Sequence, residues 1–231
     1  MNAVRPDVLV GESVDEAVGR ITGFVNCYVV RDPSGLFLID TGFSSRAAPI
    51  RRAFERADIP FSQLTAILLT HRHVDHIRGA FRMETLSRAR VCCHPSDAPV
   101  VEGKVPPPGP LWMRLFARSH PVPVQQMVKD GDRVGPFQVV HVPGHTPGSL
   151  AFYLPERKIL FTGDAVLEHD GRLSLARAQY AWDFSQAVAS IDRLRELPVE
   201  VVLPGHGKPV RRDIGAQLDA LKSRVAAVGR R

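Results

Sequence analysis

Four apolar runs in this chain stop on a residue that can hold a metal ion: "FLID" on Asp40, "AILLT" on His71, "ILFTG" on Asp164 and "VVLPG" on His206. Short aliphatic runs of this kind suit buried strands of a layered sheet. In layered sheets, ligands collect beyond the strand ends, where loops rather than hydrogen-bonded ladders carry the chain. The four runs also echo one another in pairs, "FLIDTG" with "ILFTGD" and "ILLTHRH" with "VVLPGHG". The echo suggests two similar halves with a site between them.

Other strand signals are "NCYVV", "ARVCC", "FQVVHV" and "SLAFYL", and helices are expected between some of them. In "DFSQAVASIDRLREL", Phe184, Ala187, Val188, Ile191 and Leu194 fall on one helical face, and Asp183 and Gln186 stand at capping-box spacing. A last helix carries Ile214, Leu218, Leu221, Val225 and Val228 on one stripe. Strands and amphipathic helices in this mixture imply an α/β protein built in layers. With 231 residues, 44% hydrophobic content and no segment that reads as a linker, one domain over residues 1–231 is expected.

No apolar run approaches the roughly 20 residues needed to span a bilayer, and the opening "MNAVRPDVLVGESVDEAVGR" has acidic residues where an export signal would be apolar. A cytoplasmic protein is expected. Cys27, Cys92 and Cys93 are odd in number and the adjacent pair suits no ordinary disulfide, so they read as reduced structural thiols. The net charge of +6 would allow a nucleic-acid partner, but the positive residues are scattered, mostly arginine, and lack interleaved aromatics to stack bases. A solvated basic surface is the simpler reading.

The densest chemistry lies in "THRHVDHIRG", where His71, His73, Asp75 and His76 fall within six residues. Alternate positions of an extended segment put His71 and His73 on one side, and the Asp-His that follows turns to a second side. Imidazole nitrogen and carboxylate oxygen are ligands that zinc accepts. Three more candidates, His145 in "VPGHTPGS", Asp164 in "FTGDAV" and His206 in "LPGHGKP", sit beside glycines that let the backbone bend. Seven ligands suffice for two metals.

H-x-H-x-D-H followed by "PGHTPGS", "TGD" and "PGHG" resembles the metallo-β-lactamase superfamily, with the motifs in that family's order from about Asn26 to Lys208. The resemblance implies a four-layered αββα sandwich with two metals, zinc first and iron or manganese as alternatives. It implies that His71, His73 and His145 hold one ion, Asp75, His76 and His206 the other, and that Asp164 bridges both. Asp40 matches a position that supports a ligand from behind. Where relatives often read D-H-x-G-G, this chain has "DHIRGA", so Arg78 either narrows an entrance, meets an anionic substrate, or is a solvated helix-start residue.

Two such metals would make a bridging hydroxide the nucleophile, with Asp75 and Asp164 holding it. The resemblance thus implies a binuclear hydrolase of a small ester, thioester or lactone. The retained Asp164 and the acidic opening argue against a secreted β-lactamase, and the roughly 25 residues after His206 argue against a full glyoxalase II. No tyrosine follows Asp164 closely as in quorum-quenching lactonases, and His73 stands where flavodiiron proteins carry glutamate. A persulfide dioxygenase with a single iron is the alternative class, and a nuclease or phosphodiesterase a more distant one. A small-molecule substrate is the expected partner, membrane and nucleic acid are not, and a dimer is compatible with the reading.

The proline-bounded segment "LWMRLFARS" gives Leu111, Trp112, Leu115 and Phe116 a short apolar face and reads as a cover over the metals, within residues 105–120. His94 and His141 read as structural. His120, His169 and Tyr180 are left open between substrate contact and packing.

Overall fold

The computed structural model describes residues 10–109 and 111–228, with the side chains of Met113, Phe116 and residues 226–228 outside that description. Most of the acidic opening's first half, the Phe116 side chain in the expected cover and Val228 in the last stripe therefore lie outside the described residues. The chain divides into two compact units, Met1–Met127 and Val128–Arg231.

The first unit is a seven-stranded mixed sheet in sequential order: β1 (Glu12–Asp15), β2 (Val18–Ile21), β3 (Cys27–Asp32), β4 (Gly35–Ile39), β5 (Leu64–Leu68), β6 (Arg90–Cys93) and β7 (Gln126–Met127). β1 to β4 form an antiparallel meander, while β4, β5, β6 and β7 run parallel, which requires crossovers. These are α1 (Ala48–Arg56), then α2 (Val74–Ile77) with α3 (Ala80–Ser87), and finally α4 (Ala98–Val101) and α5 (Leu111–Phe116). Alternation decides what each face buries. Leu36, Leu38, Ile67, Leu69, Val91 and Cys93 pack with Ile50, Phe54 and Met83 of the helices, while their neighbours Phe37, Ile39, Ala66, Leu68 and Cys92 are buried as well. Burial of both faces explains why the strands read as continuous apolar runs.

The second unit is a five-stranded sheet ordered β14 (Val201–Pro204), β11 (Ile159–Gly163), β10 (Leu150–Leu154), β9 (Phe137–His141) and β8 (Arg133–Val134), beside a small hairpin of β12 (Leu167–His169) and β13 (Arg172–Ser174). α6 (Phe184–Arg195) and α7 (Ile214–Val228) cover one face, placing Ile191, Leu194, Leu218 and Leu221 against Val140, Tyr153, Leu160 and Val202. On the other face Phe137 meets Phe152 and Phe161 with ring centroids 6.3 and 5.8 Å apart in edge-on contacts.

All eight strands read from the sequence are present, as are the two long helices. The strands not anticipated (β1, β2, β7, β8, β12 and β13) have two to four residues each. Too short to show a period, they owe their extended form to their neighbours. The capping box at α6 is half formed: Asp183 Oδ1 accepts from the Gln186 N–H at 2.9 Å, but the Asp183 N–H goes to the Gly144 carbonyl at 2.9 Å. A tertiary bond has taken the donor that the Gln186 side chain would have met.

Candidate functional site

The echo seen in sequence has a structural basis within each unit. β4 and β5 are adjacent parallel partners, Ile39 opposite Leu68, so Asp40 and the segment Thr70–His76 leave the first sheet at the same end. β11 and β14 are the corresponding parallel pair, Gly163 opposite Pro204, and Asp164 and His206 leave the second sheet together. The Gly205 N–H donates to the Gly163 carbonyl at 2.8 Å and extends that pairing past the last strand residue.

In the first unit the four candidates are compact. The rings of His71 and His73 are 4.7 Å apart, those of His71 and His76 4.1 Å apart, and His76 Nε2 lies 3.7 Å from Asp75 Oδ2. His71 and His76 are buried, whereas His73 and Asp75 are partly exposed. His73 sits at the N-cap of α2, so the chain turns from extended to helical between the His-x-His and Asp-His pairs, as the spacing implied.

Asp40 organises this cluster. Its Oδ2 accepts from the Thr70 hydroxyl at 2.8 Å and from His76 Nδ1 at 2.7 Å, and its Oδ1 accepts from the Thr70 N–H at 2.8 Å. A carboxylate cannot donate, so His76 carries its proton on Nδ1 and presents Nε2 as the ligand atom. Thr70 has spent its own proton on Asp40. The 3.0 Å contact between Thr70 Oγ1 and His71 Nδ1 is therefore donated by the imidazole, which leaves Nε2 of His71 available too. Burying a lone carboxylate would cost several kcal/mol, and three hydrogen bonds offset that. Asp40 also holds a left-handed backbone with φ 56°, a conformation that Asp tolerates better than most residues.

A second carboxylate, Asp97, is fully buried beside the cluster's chain. Its Oδ2 accepts from the Arg72 N–H at 3.1 Å, and its Oδ1 lies 3.4 Å from the Arg72 guanidinium, pinning the residue between His71 and His73. Asp97 stands at the N-cap of α4 but makes no capping bond there. Its cue in the sequence was an ordinary helix start, so neither it nor Thr70 could be singled out.

The second unit places Asp164 between two imidazoles. Its Oδ2 is 3.5 Å from His145 Nε2 and 3.6 Å from His206 Nε2. These separations exceed the usual hydrogen-bond range, but donors each about 2.0–2.2 Å from one tetrahedral ion stand roughly 3.3–3.5 Å apart. The spacing and the donor types both fit divalent metal. His145 and Asp164 are buried, and His206 is partly exposed. The loop carrying His145 is fixed through its backbone: its carbonyl accepts from the Trp182 N–H at 3.0 Å, and Gly144 has φ 132° with space so tight that an added Cβ would lie 2.1 Å from the Ala187 nitrogen. Only glycine fits there.

Of the remaining histidines, His141 donates from Nε2 to the Pro147 carbonyl at 2.9 Å and His94 Nδ1 accepts from the Ser96 N–H at 3.2 Å, both local structural roles. His169 is exposed at the end of β12, 3.1 Å from Asp170 Oδ2. His120 packs on Phe81 with ring centroids 5.4 Å apart. Arg78 is not simply solvated, since its guanidinium lies 4.9 Å over the Phe43 ring. Leu111, Trp112 and Leu115 of the expected cover are exposed, as are Tyr180 and Trp182 next to the turn that carries His145. Trp182 is a further residue that sequence reading passed over.

None of the three thiols is suited to nucleophilic chemistry. All are free and buried; burial, and secondarily nearby Asp40 or Asp97, pushes Cys27 and Cys93 well above the usual thiol value, and burial takes Cys92 up to about 11.

The metallo-beta-lactamase superfamily model matches residues 20–206. The chain belongs to that superfamily. An uncharacterized protein of Mycobacterium tuberculosis (strain ATCC 25618 / H37Rv) is 31% identical over 221 residues, covering 85% of this chain and 94% of that one. A hydroxyacylglutathione hydrolase of Cereibacter sphaeroides (strain ATCC 17023) is 32% identical over 164 residues, which are 69% of this chain but 54% of the hydrolase. Among solved structures, TTHA1623 in a di-iron-bound form has a TM-score of 0.67 at 32% identity, covering 87% of this chain and 96% of that one. The α/β sandwich expected from the resemblance is thus the fold of this metallo-β-lactamase superfamily chain. The superfamily binds divalent metals through His and Asp groups of the kind described above. No helix among the described residues is long and apolar enough to cross a membrane.

Proposed function

We propose that this superfamily member is a metal-dependent hydrolase of a small ester, thioester or lactone that works with two divalent ions, zinc in the first instance. In this reading His71, His73 and His145 serve one ion, Asp75, His76 and His206 the other, and Asp164 is shared. The observation that carries it is the single Asp164 oxygen lying 3.5 and 3.6 Å, the separation of donors to a common ion, from two imidazole nitrogens that this reading gives to different ions. When bound, such ions acidify a shared water and polarise the carbonyl under attack.

The chain's own residues do the rest. Asp75 and Asp164 would accept hydrogen bonds from such a water and orient it. Asp40 and Thr70 hold His76 and His71 in the tautomer that offers Nε2, so no reorganisation is needed as metal or substrate arrives. An acyl substrate is favoured over a nucleic acid because Trp112 and Leu115 are exposed and would give the expected cover an apolar face, and because an acyl hydrolase stands among the relatives. Three buried free thiols suit a cytoplasmic setting.

Metal analysis of the purified protein, followed by a substrate panel on the zinc-loaded form, tests the reading. Two ions per chain and turnover of an ester, thioester or lactone are expected. A single iron with oxygen uptake on a persulfide would replace it with an oxidative function, and a phosphodiester cleaved orders of magnitude faster than every acyl substrate would replace it with a nuclease.

A further inference from the structure

We propose that the first unit also carries a binding site for a small phosphate ester with a planar body, such as a nucleoside diphosphate, in the cavity bounded by the start of α1, the start of α3 and His120. The cavity measures about 400 Å³ and is lined by Ser45, Arg46, Arg51, Phe81, Arg82 and His120. Three guanidinium groups and an imidazole meet there, and no carboxylate is among the lining residues.

The cavity gathers cations without an acid beside them, whereas three other arginines have a carboxylate at hand: Arg20 lies 2.8 Å from Glu12, Arg195 2.9 Å from Asp219, and Arg72 3.4 Å from buried Asp97. Among the described residues Arg46 and Arg82 make no ion pair. Arg51 has only Glu55, one turn along α1 at 3.6 Å, and its Nε is buried without a hydrogen-bond partner. Holding like charges around one cavity is unfavourable unless an anion joins them. A buried, unmet donor adds to that cost.

The chemistry of the lining names the ligand class. Guanidinium groups match the paired oxygens of a phosphate in fork geometry, which a single carboxylate would satisfy less fully across three arginines. Phe81 and His120 lie with ring centroids 5.4 Å apart and planes inclined at 34°, and both are exposed, forming a shelf on which a flat ring can rest. The volume falls within the range of small-molecule sites, roughly 300–1,000 Å³. The phosphate could belong to the hydrolase's own substrate, on a part remote from the scissile bond, or to a separate ligand.

Calorimetric titration of the full-length, zinc-loaded protein with ADP, pyrophosphate and adenosine tests the site. ADP and pyrophosphate should bind, and adenosine should not. The Arg46→Ala/Arg82→Ala variant should weaken both anions by at least about a hundredfold, about tenfold per charge-assisted contact, with metal content and thermal midpoint unchanged. Phe81→Ala should weaken ADP more than pyrophosphate. Metal-stripped Asp164→Ala protein should keep ADP binding, which separates this site from the metals. Absence of ADP binding at millimolar concentration, or binding indifferent to the double variant, would overturn the proposal. So would a short single-stranded DNA that binds far more tightly than ADP through the same arginines, since the site would then be a nucleic-acid surface. One arm rests on the hydrolase reading: ADP inhibition of acyl hydrolysis that vanishes in the double variant assigns the phosphate to the substrate, and ADP binding without inhibition assigns it to a separate ligand.

Discussion

The two units solve the same problem by different means. In the first, four candidate ligands lie within six residues of chain and are oriented by side chains, with Asp40 acting on His76 directly and on His71 through Thr70. In the second, His145, Asp164 and His206 are spread over more than sixty residues and are oriented by backbone, through the β11–β14 pairing and the tight turn at Gly144. A side-chain network tunes ligand atoms without holding the fold together. A backbone device ties ligand position to the stability of the unit. Substitutions in the first unit should therefore alter metal affinity at constant stability, whereas those in the second should move both, or destroy the shared ligand outright.

The largest effect is expected for Asp164→Ala. On the proposed two-ion hydrolase reading no neighbour in "FTGDAV" can replace a shared carboxylate, so bound metal should fall from two ions to one or fewer and hydrolysis by more than about a hundredfold, beyond the usual cost of losing an outer partner. Elemental analysis and initial rates check it; a variant that kept two ions and full activity would show the ligand assignment to be wrong. Next, Gly144→Ala should destabilise the protein by about 3 kcal/mol or more, because its methyl would collide with α6 at Ala187 while the backbone stayed at positive φ. For a chain of this size that is a fall of about 6–12 °C in thermal midpoint.

Asp40→Asn sharpens the contrast. Asn tolerates the left-handed backbone but cannot take His76 and Thr70 as a carboxylate does, so metal affinity should drop about 10–100-fold with the thermal midpoint of the metal-free protein little changed. Competition with a chelator, alongside thermal melts, measures the two quantities separately. If the metal-free variant melted as far below the parent as Gly144→Ala, Asp40 would be a structural peg and the distinction between the units would collapse. The smallest effect belongs to Thr70→Val, which removes the hydroxyl that bonds both Asp40 and His71 but leaves His76 and the Thr70 N–H on Asp40. The one bond lost by a candidate ligand, that of His71, is of about 1 kcal/mol and corresponds to roughly a fivefold loss of metal affinity.

Legibility in the sequence followed the distance over which each feature is encoded. The His-x-His and Asp-His pairs were readable because strand and helix periodicity act within a few residues, and Asp164 and His206 because each ends an apolar run. The capping box at Asp183 is legible in its spacing and half formed in the structure, since its backbone donor goes to Gly144, 39 positions earlier in the chain. Asp97 and Trp182 gave no signal: a carboxylate at a helix start and an aromatic in a loop are commonplace, and only the fold brings them to Arg72 and His145.

By itself the sequence determined the α/β class, the eight main strands, and which His and Asp residues stand at strand ends, because burial patterns and strand length are local properties that survive any arrangement of the rest. Tertiary structure decided what those residues face. It chose the tautomers of His71 and His76 by closing Asp40 onto Thr70, 30 residues away, and it set one Asp164 oxygen beside two imidazoles. It also turned scattered positive charge into a cavity, gathering Arg46, Arg82 and His120 across more than seventy residues of chain. Electrostatic and coordination chemistry depend on distances of a few ångströms between groups remote in sequence, and only the folded backbone sets such distances.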